Sequence, residues 1–349
     1  MSLTLPLTGI RVVEFAAIGP APFAAMMLAD LGATVLRIEK PGPRAIDGGA
    51  VDFLQRHRQA VRVLDLKTEA GRDEALAEVR AADAVVEGFR PGVMERLRLG
   101  PQACLEVQPR LVYGRVTGWG REGPLAMAAG HDINYLALSG LLGAMGPADG
   151  PPVPPLNLVA DFGGGGMLLT VGIVSALLRA RISGQGCVVD AAMLDGAALL
   201  GASIFGLQAG GRWPGKRGAN LLDGGAPFYR CYRCADGRHV AVGAIEAPFY
   251  AELLQRLGIT DPDFEDQWDR SRWPLMAGKL EALFATADRD HWCRLLEGSD
   301  ACVSPVLSLD EAAQHPHNRA RGVFTHGPGV NEPTPAPRFS AMTDPSGDG

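Results

Sequence analysis

The sequence lacks any uninterrupted hydrophobic run long enough to cross a membrane. Its longest apolar stretch, residues 167–178, is broken by Thr170, Gly172 and Ser175, whereas a spanning helix needs about 18 or more apolar residues in succession. The amino terminus has no basic start followed by an apolar core, and the carboxyl terminus carries no Ser-Lys-Leu address. We therefore expect a cytoplasmic protein without a membrane span.

Positive charge and cysteine are also scarce. The 349 residues carry a net charge of -6, which argues against nucleic acid as the main partner because nucleic-acid-binding surfaces are basic. The 6 cysteines of so long a chain do not resemble a disulfide framework. Cys231 and Cys234 have the spacing of a metal-binding pair, but no second pair accompanies them, so we expect no metal site.

The glycine-rich fingerprint of dinucleotide-binding enzymes is missing as well. The first predicted strand leads into Ile-Gly-Pro-Ala-Pro at 18–22 rather than into Gly-x-Gly-x-x-Gly. Its two prolines lack the backbone N–H groups that would bind a pyrophosphate. This segment argues against a nicotinamide or flavin enzyme.

The first two hundred residues instead alternate between short β-branched runs and segments with helical spacing of apolar residues. Strands are predicted at 10–15, 34–39, 84–86, 111–116 and 187–189, and helices at 23–31, 69–80 and 165–181. Such alternation predicts an α/β fold with a parallel sheet and helices on both faces. Ligands of such sheets usually bind at the carboxyl ends of the strands.

The composition changes around residues 210–225 to Gly, Arg, Trp and Pro, which predicts a linker. Beyond it, the runs 228–234 and 239–242 flank Asp236-Gly237, a pair that predicts a hairpin with a type I′ turn. Helices follow near 247–257 and 273–284. We predict a second, smaller α+β domain from about 222 to 310.

The segment Gly-His-Asp-Ile-Asn-Tyr at 130–135 places a titratable pair directly before an apolar helix. In the structural interpretation, Asp132 or Asn134 caps that helix and His131 is a packed or surface histidine. In the functional interpretation, His131 is an acid/base residue. The local sequence leaves both open.

A carboxylate followed by four glycines, Asp161-Phe162-Gly-Gly-Gly-Gly, precedes the long predicted helix. Asp161 could be its N-cap, with the glycines allowing close packing. Alternatively, the glycines expose backbone N–H groups at a positive helix end, which can hold an oxyanion or an anionic ligand. A further carboxylate, Glu246, follows the second hairpin strand, where a solvated Glu in a first helical turn is the ordinary explanation.

Several sequence blocks together are similar to one known family. They occur in order between residues 7 and 339, at 21–33, 87–92, 130–135, 155–164, 222–229, 243–246 and 300–306. On these blocks the chain resembles the α-methylacyl-CoA racemases of the family III CoA-transferase superfamily. The resemblance implies a Rossmann-like large CoA-binding domain at 1–190, a helical linker at 191–221, a small α+β domain at 222–310 and a return segment at 311–349. It also implies an interlocked homodimer.

The resemblance further implies a cofactor-independent isomerase of lipid metabolism that interconverts (R)- and (S)-2-methylacyl-CoA thioesters, with CoA as part of the substrate. The family's two acid/base residues fall on His131 and Asp161, and Glu246 matches the residue that supports the histidine. Two bases suit an inversion, because one removes the α-proton while the other returns its own on the opposite face. Burial would help Asp161 to act protonated by raising its pKa.

Substrate-binding positions are implied in the same way. Lys and Arg near strand ends can bind CoA phosphates, and Arg can stack on adenine. The family pattern for binding falls on Lys40, Leu64, Asp65, Leu66, Lys67, Gly88, Phe89, Arg90, Arg96, Gly130, Asp132, Ile133, Asn134 and Tyr135, and Asn157 and Tyr229 match supporting positions.

Two other functions compete with the racemase. In a CoA-transferase, the carboxylate of Asp161 would be a nucleophile that forms an acyl anhydride and then an enzyme–CoA thioester. His131 argues against this, because a transferase needs no second base there. The second competitor is a catalytically silent acyl-CoA-binding dimer, which the intact His131, Asp161 and Glu246 disfavour.

Overall fold

A parallel sheet of six strands organises the first part of the chain in the computed structural model, which describes residues 4–42, 52–55, 60–327 and 330–340. The strand order is β3-β2-β1-β4-β5-β6, and every neighbouring pair is parallel. The strands are β1 (Arg11–Phe15), β2 (Thr34–Glu39), β3 (Ala60–Val63), β4 (Ala84–Glu87), β5 (Val112–Thr117) and β6 (Cys187–Ala192). All five predicted strands and the α/β class are confirmed, and β3 is an additional, exposed edge strand.

Helices connect these strands and pack on the sheet. They are α1 (Pro20–Asp30), α2 (Glu69–Arg80), α3 (Val93–Arg96), α4 (Pro101–Val107), α5 (Asp132–Leu138), the π-helix Leu158–Met167, α6 (Leu168–Ser183) and α7 (Met193–Leu200). The sequence explains why α6 faces the sheet, since Leu169, Ile173, Leu177 and Ala180 recur at helical spacing and are buried. Ile173 packs against β5 at Gly114, where a Cβ atom would lie only 2.6 Å from Ile173 Cδ1.

One helix among the described residues, Leu158–Ser183, is long and apolar enough to span a membrane by length and composition alone. The sequence predicts no membrane span, because Thr170, Gly172 and Ser175 interrupt the apolar run at 167–178. The π-helix and α6 follow one another without a break, which lengthens the apolar segment. A single helix of this kind is weak support for a membrane span, since core helices pass the same test.

A second, antiparallel sheet orders the later part of the chain as β7-β8-β9. Its strands are β7 (Tyr229–Arg233), β8 (His239–Gly243) and β9 (Val303–Val306), and a separate pair is formed by β10 (Phe324–Gly327) and β11 (Val330–Pro333). The helices are α8 (Ala202–Ala209), α9 (Ala247–Leu257), α10 (Trp273–Phe284), α11 (Arg289–Leu296), α12 (Leu309–Gln314) and α13 (Pro316–Arg321). An aromatic core that includes Phe228, Tyr232 and Phe284 fills this α+β unit.

The predicted hairpin is present, but its turn type is not the predicted one. Gly237 has a φ of 78°, whereas Asp236 does not have a positive φ, and a type I′ turn needs both. The N–H of Gly237 donates to the carbonyl of Cys234, and the N–H of Cys234 donates to the carbonyl of Arg238. This pattern fits a type I turn followed by a bulged glycine, which also matches the right-handed twist of the strands.

The described residues divide into two compact units. The first contains those of Met1–Leu141, Pro155–Gly201 and Glu332–Gly349, and the second contains Leu142–Pro154 and Ala202–Asn331. Helix α7, which lies in the predicted linker at 191–221, therefore belongs to the first unit, while α12 and α13 of the predicted return segment belong to the second. Residues 341–349 of that segment lie outside the described residues.

The short segment 142–154 belongs to the second unit because Arg217 holds it there. The guanidinium of Arg217 donates to the carbonyls of Gly143, Pro147 and Gly150 at 3.1, 2.9 and 2.5 Å. These three carbonyls come from a stretch without regular strands, whose backbone groups need partners elsewhere. One side chain therefore binds the segment at three points along its length.

Candidate active site

The strand order changes direction between β1 and β4, and loops after both strands meet there. Crevices at such switch points are the usual ligand sites of open α/β sheets. Gly88, after β4, lies close to the loop after β1 and the start of α1, because a Cβ atom on it would be 3.2 Å from Ala17 Cβ and 3.0 Å from Ala21 Cβ. Gly19 of the same β1 loop lies beside Asp161. The candidate catalytic carboxylate is therefore at the switch point.

Asp161 lies within the first turns of the π-helix Leu158–Met167. The expectation that Asp161 is the N-cap of a helix starting at 165 is wrong, because the helix begins at Leu158. The backbone N–H groups of Ala160 and Asp161 both donate to Oδ2 of Asp132 at 2.7 Å. A side chain from another helix thus supplies the acceptor that the first turn of a helix requires.

The four glycines after Phe162 serve mainly close packing. A Cβ atom on Gly164 would lie 2.7 Å from the backbone N of Ala197 in α7, and one on Gly165 would lie 3.0 Å from Pro20 Cβ. Gly166 similarly faces Phe23, at 2.7 Å from a ring carbon. The glycines let α7 and α1 approach the π-helix, and the amides of Ala160 and Asp161 are occupied by Asp132 rather than free for an anionic ligand.

His131 is the N-cap residue of α5, and its side chain is exposed rather than packed in a core. Its backbone N–H donates to Oδ1 of Asn134 at 3.0 Å, and the N–H of Asn134 donates back to the carbonyl of His131. Asn134 therefore closes the helix start, as one of the structural interpretations predicts, while Asp132 caps the π-helix instead. The imidazole of His131 remains exposed.

The electrostatic surroundings of Asp161 favour its protonated form. Burial raises the pKa of the Asp161 carboxyl, and the negative charge of Asp132 raises it further. A hydrogen bond from Nδ2 of Asn157 at 3.5 Å and the positive charge of His131 lower the pKa, but they do not outweigh burial. His131 is thus close enough to Asp161 for their charges to interact.

Tyr135 forms one wall beside these groups. Its hydroxyl donates to the carbonyl of Gly130 at 2.5 Å, and its ring meets Trp119 edge-on at 4.7 Å. Burial raises the pKa of the Tyr135 hydroxyl, the charge of Asp161 raises it further, and the charge of Arg90 lowers it. These interactions place Arg90, Tyr135 and Asp161 in one neighbourhood.

Three strands deliver predicted CoA-binding residues to one edge of the sheet. Lys40 follows β2, residues 64–67 follow β3 and residues 88–90 follow β4. The carboxyl ends of parallel strands lie at the same edge, so these segments share it. Lys40, Lys67, Arg90 and Arg96 are exposed, whereas Leu64 is buried.

A buried ionic network anchors the 88–90 loop. Glu87 accepts a hydrogen bond from the N–H of Phe89 at 2.8 Å through Oε2, and from Arg115 at 3.1 Å through Oε1. Arg115 also donates to Glu95 at 3.1 Å. The sequence blocks include Glu87 but gave it no role, and Arg115 was not singled out, although a charged residue inside an apolar strand is a signal that could have found both.

Two of the predicted site residues belong to the second unit. Glu246, the exposed N-cap residue of α9, and Tyr229, at the start of β7, both lie in the second unit. Among the described residues, no group of three or more His, Cys, Asp or Glu side chains is arranged to hold a metal ion. The described candidate site lies within the first unit and comprises His131, Asp132, Tyr135, Asn157 and Asp161.

The class of protein follows from two observations. One is the six-stranded parallel sheet with its site at the switch point, and the other is the set of sequence blocks. The family model of CoA-transferase family III matches residues 7–346, and the chain belongs to this family. The curated α-methylacyl-CoA racemase of Mus musculus is 45% identical over 348 residues, which cover 97% of this chain and 90% of the relative. That of Homo sapiens is 43% identical over 334 residues, which cover 95% and 86%.

Solved structures share the fold. A CAIB/BAIF family protein from Brucella suis aligns with a TM-score of 0.80 and 25% sequence identity, covering 97% of this chain and 93% of that protein. The resemblance inferred from the sequence blocks and the family III fold are therefore confirmed.

Proposed function

We propose that this protein is an α-methylacyl-CoA racemase, which interconverts the (R) and (S) forms of 2-methylacyl-CoA thioesters. The observation that carries the proposal is the placement of two acid/base groups on adjoining elements. Asp161, whose pKa is raised, lies within charge–charge range of the exposed His131. The similarity to curated racemases over nearly the whole chain supports the same function.

The reaction needs one base and one acid at the same carbon atom. With His131 neutral and Asp161 protonated, the imidazole removes the α-proton and the C–H electron pair moves into the thioester as an enolate. Asp161 then donates its own proton to the opposite face of the α-carbon, which inverts the configuration. The reverse direction starts from the exchanged protonation states. A positioned acid or base of this kind contributes about 10²–10⁴-fold to the rate.

The pKa of Asp161 is shifted in the direction that this role requires. A transferase would use Asp161 as an ionised nucleophile, and burial together with the charge of Asp132 disfavours the ionised form. A racemase needs the same carboxyl protonated in one of its two directions. The exposed basic residues Lys40, Lys67, Arg90 and Arg96 at or near the strand ends are suited to the CoA phosphates.

The remaining features of the proposal come from the family resemblance. Glu246 would support His131, with Asn157 and Tyr229 beside the substrate, in an interlocked homodimer. We propose that the enzyme acts in the cytoplasm, in lipid metabolism, and needs no cofactor other than the CoA of its substrate.

The test is incubation with one enantiomer of a 2-methylacyl-CoA in D₂O, following α-deuterium by NMR and configuration by chiral analysis. Exchange accompanied by inversion is the expected result. Exchange with retention would mean that one base alone works. Transfer of CoA to a free acid without α-proton exchange would replace the proposal by the transferase, and tight acyl-CoA binding without turnover would replace it by the silent binder.

A further inference from the structure

The carboxylate of Asp132 lies where the elements that carry the two proposed bases meet. Asp132 directly follows His131 and is 4% exposed. Its Oδ2 atom accepts hydrogen bonds from the backbone N–H groups of Ala160 and Asp161, both at 2.7 Å. A single oxygen atom therefore ties the start of α5 to the first turns of the helix that carries Asp161.

The other oxygen of the same carboxylate has no such partner. Oδ1 of Asp132 is buried and, among the described residues, accepts no hydrogen bond. A buried carboxylate oxygen without a donor is unfavourable. The Asp132 carboxylate therefore combines two hydrogen bonds at Oδ2 with a buried oxygen, Oδ1, that no described donor reaches.

We propose that Asp132 is a positioning residue for Asp161. Its Oδ2 atom fixes the backbone of Asp161 relative to His131, and its negative charge beside the Asp161 carboxyl opposes ionisation of that carboxyl. The inference rests on the racemase function proposed above, in which Asp161 donates a proton in one direction.

The other polar groups around Asp161 either favour its ionisation or leave its ionisation unchanged. His131 brings positive charge and Asn157 a hydrogen bond, and both favour the ionised carboxylate. The charges of Asp161 and Arg90 both act on the hydroxyl of Tyr135, where the first raises its pKa and the second lowers it. The loop before α1 faces Asp161 with Gly19, which carries no charge. Among these groups, Asp132 is the one whose charge opposes ionisation of Asp161.

Asp132→Asn separates the charge from the hydrogen bonds. The amide oxygen can take the place of Oδ2 and accept both N–H groups, while the amide nitrogen replaces the unpaired Oδ1. Asp132→Ala removes the charge and both bonds. Asp195→Asn provides a matched control, because Asp195 is an exposed carboxylate on α7 of the same unit.

The primary measurement is the titration of the Asp161 carboxyl carbon by ¹³C NMR, with Asp161→Asn used to assign the signal. We expect Asp161 to titrate at lower pH in Asp132→Asn and at its original pH in Asp195→Asn. The rate of α-proton exchange in the direction in which Asp161 donates should then decline at lower pH than in the unsubstituted enzyme. Asp132→Ala should in addition lower the exchange rate on the order of 10²-fold, because misplacement of a reacting group by about 1 Å slows a reaction by that much.

An Asp161 titration that is the same in Asp132→Asn and in the unsubstituted protein would overturn the proposal. If Asp132→Asn does not fold, hydrogen exchange of the unsubstituted protein tests the positioning, because the Ala160 and Asp161 amides must be protected. Rapid exchange of both amides would also overturn it. Neither measurement depends on turnover, so a failure of the racemase function would appear separately, as absence of α-proton exchange.

Discussion

Gly19 faces the carboxylate of Asp161 so closely that a Cβ atom on it would lie 3.6 Å from Oδ2. Gly19 has φ 71° and ψ -118°, a conformation that residues with a side chain rarely adopt. The loop after the first strand thus reaches the candidate catalytic carboxyl with its backbone alone. This relationship leads to the first of five predictions.

Gly19→Ala should lower both stability and α-proton exchange. The backbone strain costs about 1–3 kcal/mol, and the added methyl group occupies the space beside the Asp161 carboxyl, 3.6 Å from Oδ2. Gly9→Ala is the control, because Gly9 has a φ of 88° but no atom within 4 Å of its added Cβ. Urea unfolding and deuterium exchange measure the two effects. Equal losses of exchange in both variants would show that the contact with Asp161 has no part in activity.

Substitution of either proposed base should disable proton transfer on one face of the substrate. His131→Ala and Asp161→Asn should each lower racemisation by about 10²–10⁴-fold, and the two variants should differ in which enantiomer still exchanges its α-proton. His291→Ala, which removes an exposed histidine on α11, should retain full activity. Full activity of His131→Ala would exclude His131 as a base.

Asp161→Asn should increase the free energy of unfolding at neutral pH. The pKa of Asp161 is raised in the folded protein, so its ionisation above the ordinary pKa, about 4, weakens folding as the pH rises through the folded value. Asparagine does not ionise and escapes this loss. Urea unfolding should therefore show a more stable variant at pH 7 and no such gain below about pH 4. A gain that is independent of pH would contradict this explanation.

Glu311→Gln should instead decrease the free energy of unfolding at neutral pH. Arg289 donates to both carboxylate oxygens of Glu311, at 3.2 and 2.6 Å, and together with the N–H of Ser308 it lowers the pKa of Glu311 to about 2. This stabilisation is complete above the ordinary pKa and is lost as the pH falls through about 2. The variant should be less stable than the unsubstituted protein at pH 7, and the difference should close in acid. Asp310→Asn, in the same helical turn, is the control.

Gly196→Ala should destabilise the first unit. A Cβ atom on Gly196 would clash with the backbone carbonyl of Gly164, which cannot move without shifting the π-helix. Overpacking of this kind costs about 1–3 kcal/mol. Gly278→Ala on α10 is the same substitution in open space and should stabilise its helix by up to about 1 kcal/mol. In thermal unfolding, the midpoint temperature should fall in Gly196→Ala and rise in Gly278→Ala.

The strands and the hairpin could be predicted because their signals are local. β-Branched runs such as those of β1 and β2 lie between helical segments, and Asp236-Gly237 marks a turn whatever surrounds it. The predicted turn type, I′, was wrong. A type I turn followed by a bulged glycine closes the hairpin with a positive φ at Gly237 alone. The residue pair thus predicted that the chain turns, but not how the backbone does so.

The candidate site was predictable by residue type and less so by contact. His131 and Asp161 were singled out in two separate motifs and paired by the family resemblance, and their charges are close enough to interact in the structure. The start of the Asp161 helix was misplaced, because its capping carboxylate, Asp132, comes from a distant part of the sequence. The glycines are likewise required by the close approach of α7 and α1, and no local sequence pattern indicates which helices will pack there.

The order in which the units occur along the chain bears on synthesis of the protein. All six strands of the parallel sheet end by Ala192, before the main body of the second unit begins at Ala202. On the ribosome, where amino-terminal units fold first, this sheet can form while most of the second unit has not yet been made. The segment 142–154 must wait for Arg217, which holds it through three carbonyls. Until Arg217 has been made, the segment is therefore open to chaperones and proteases without the side chain that holds it.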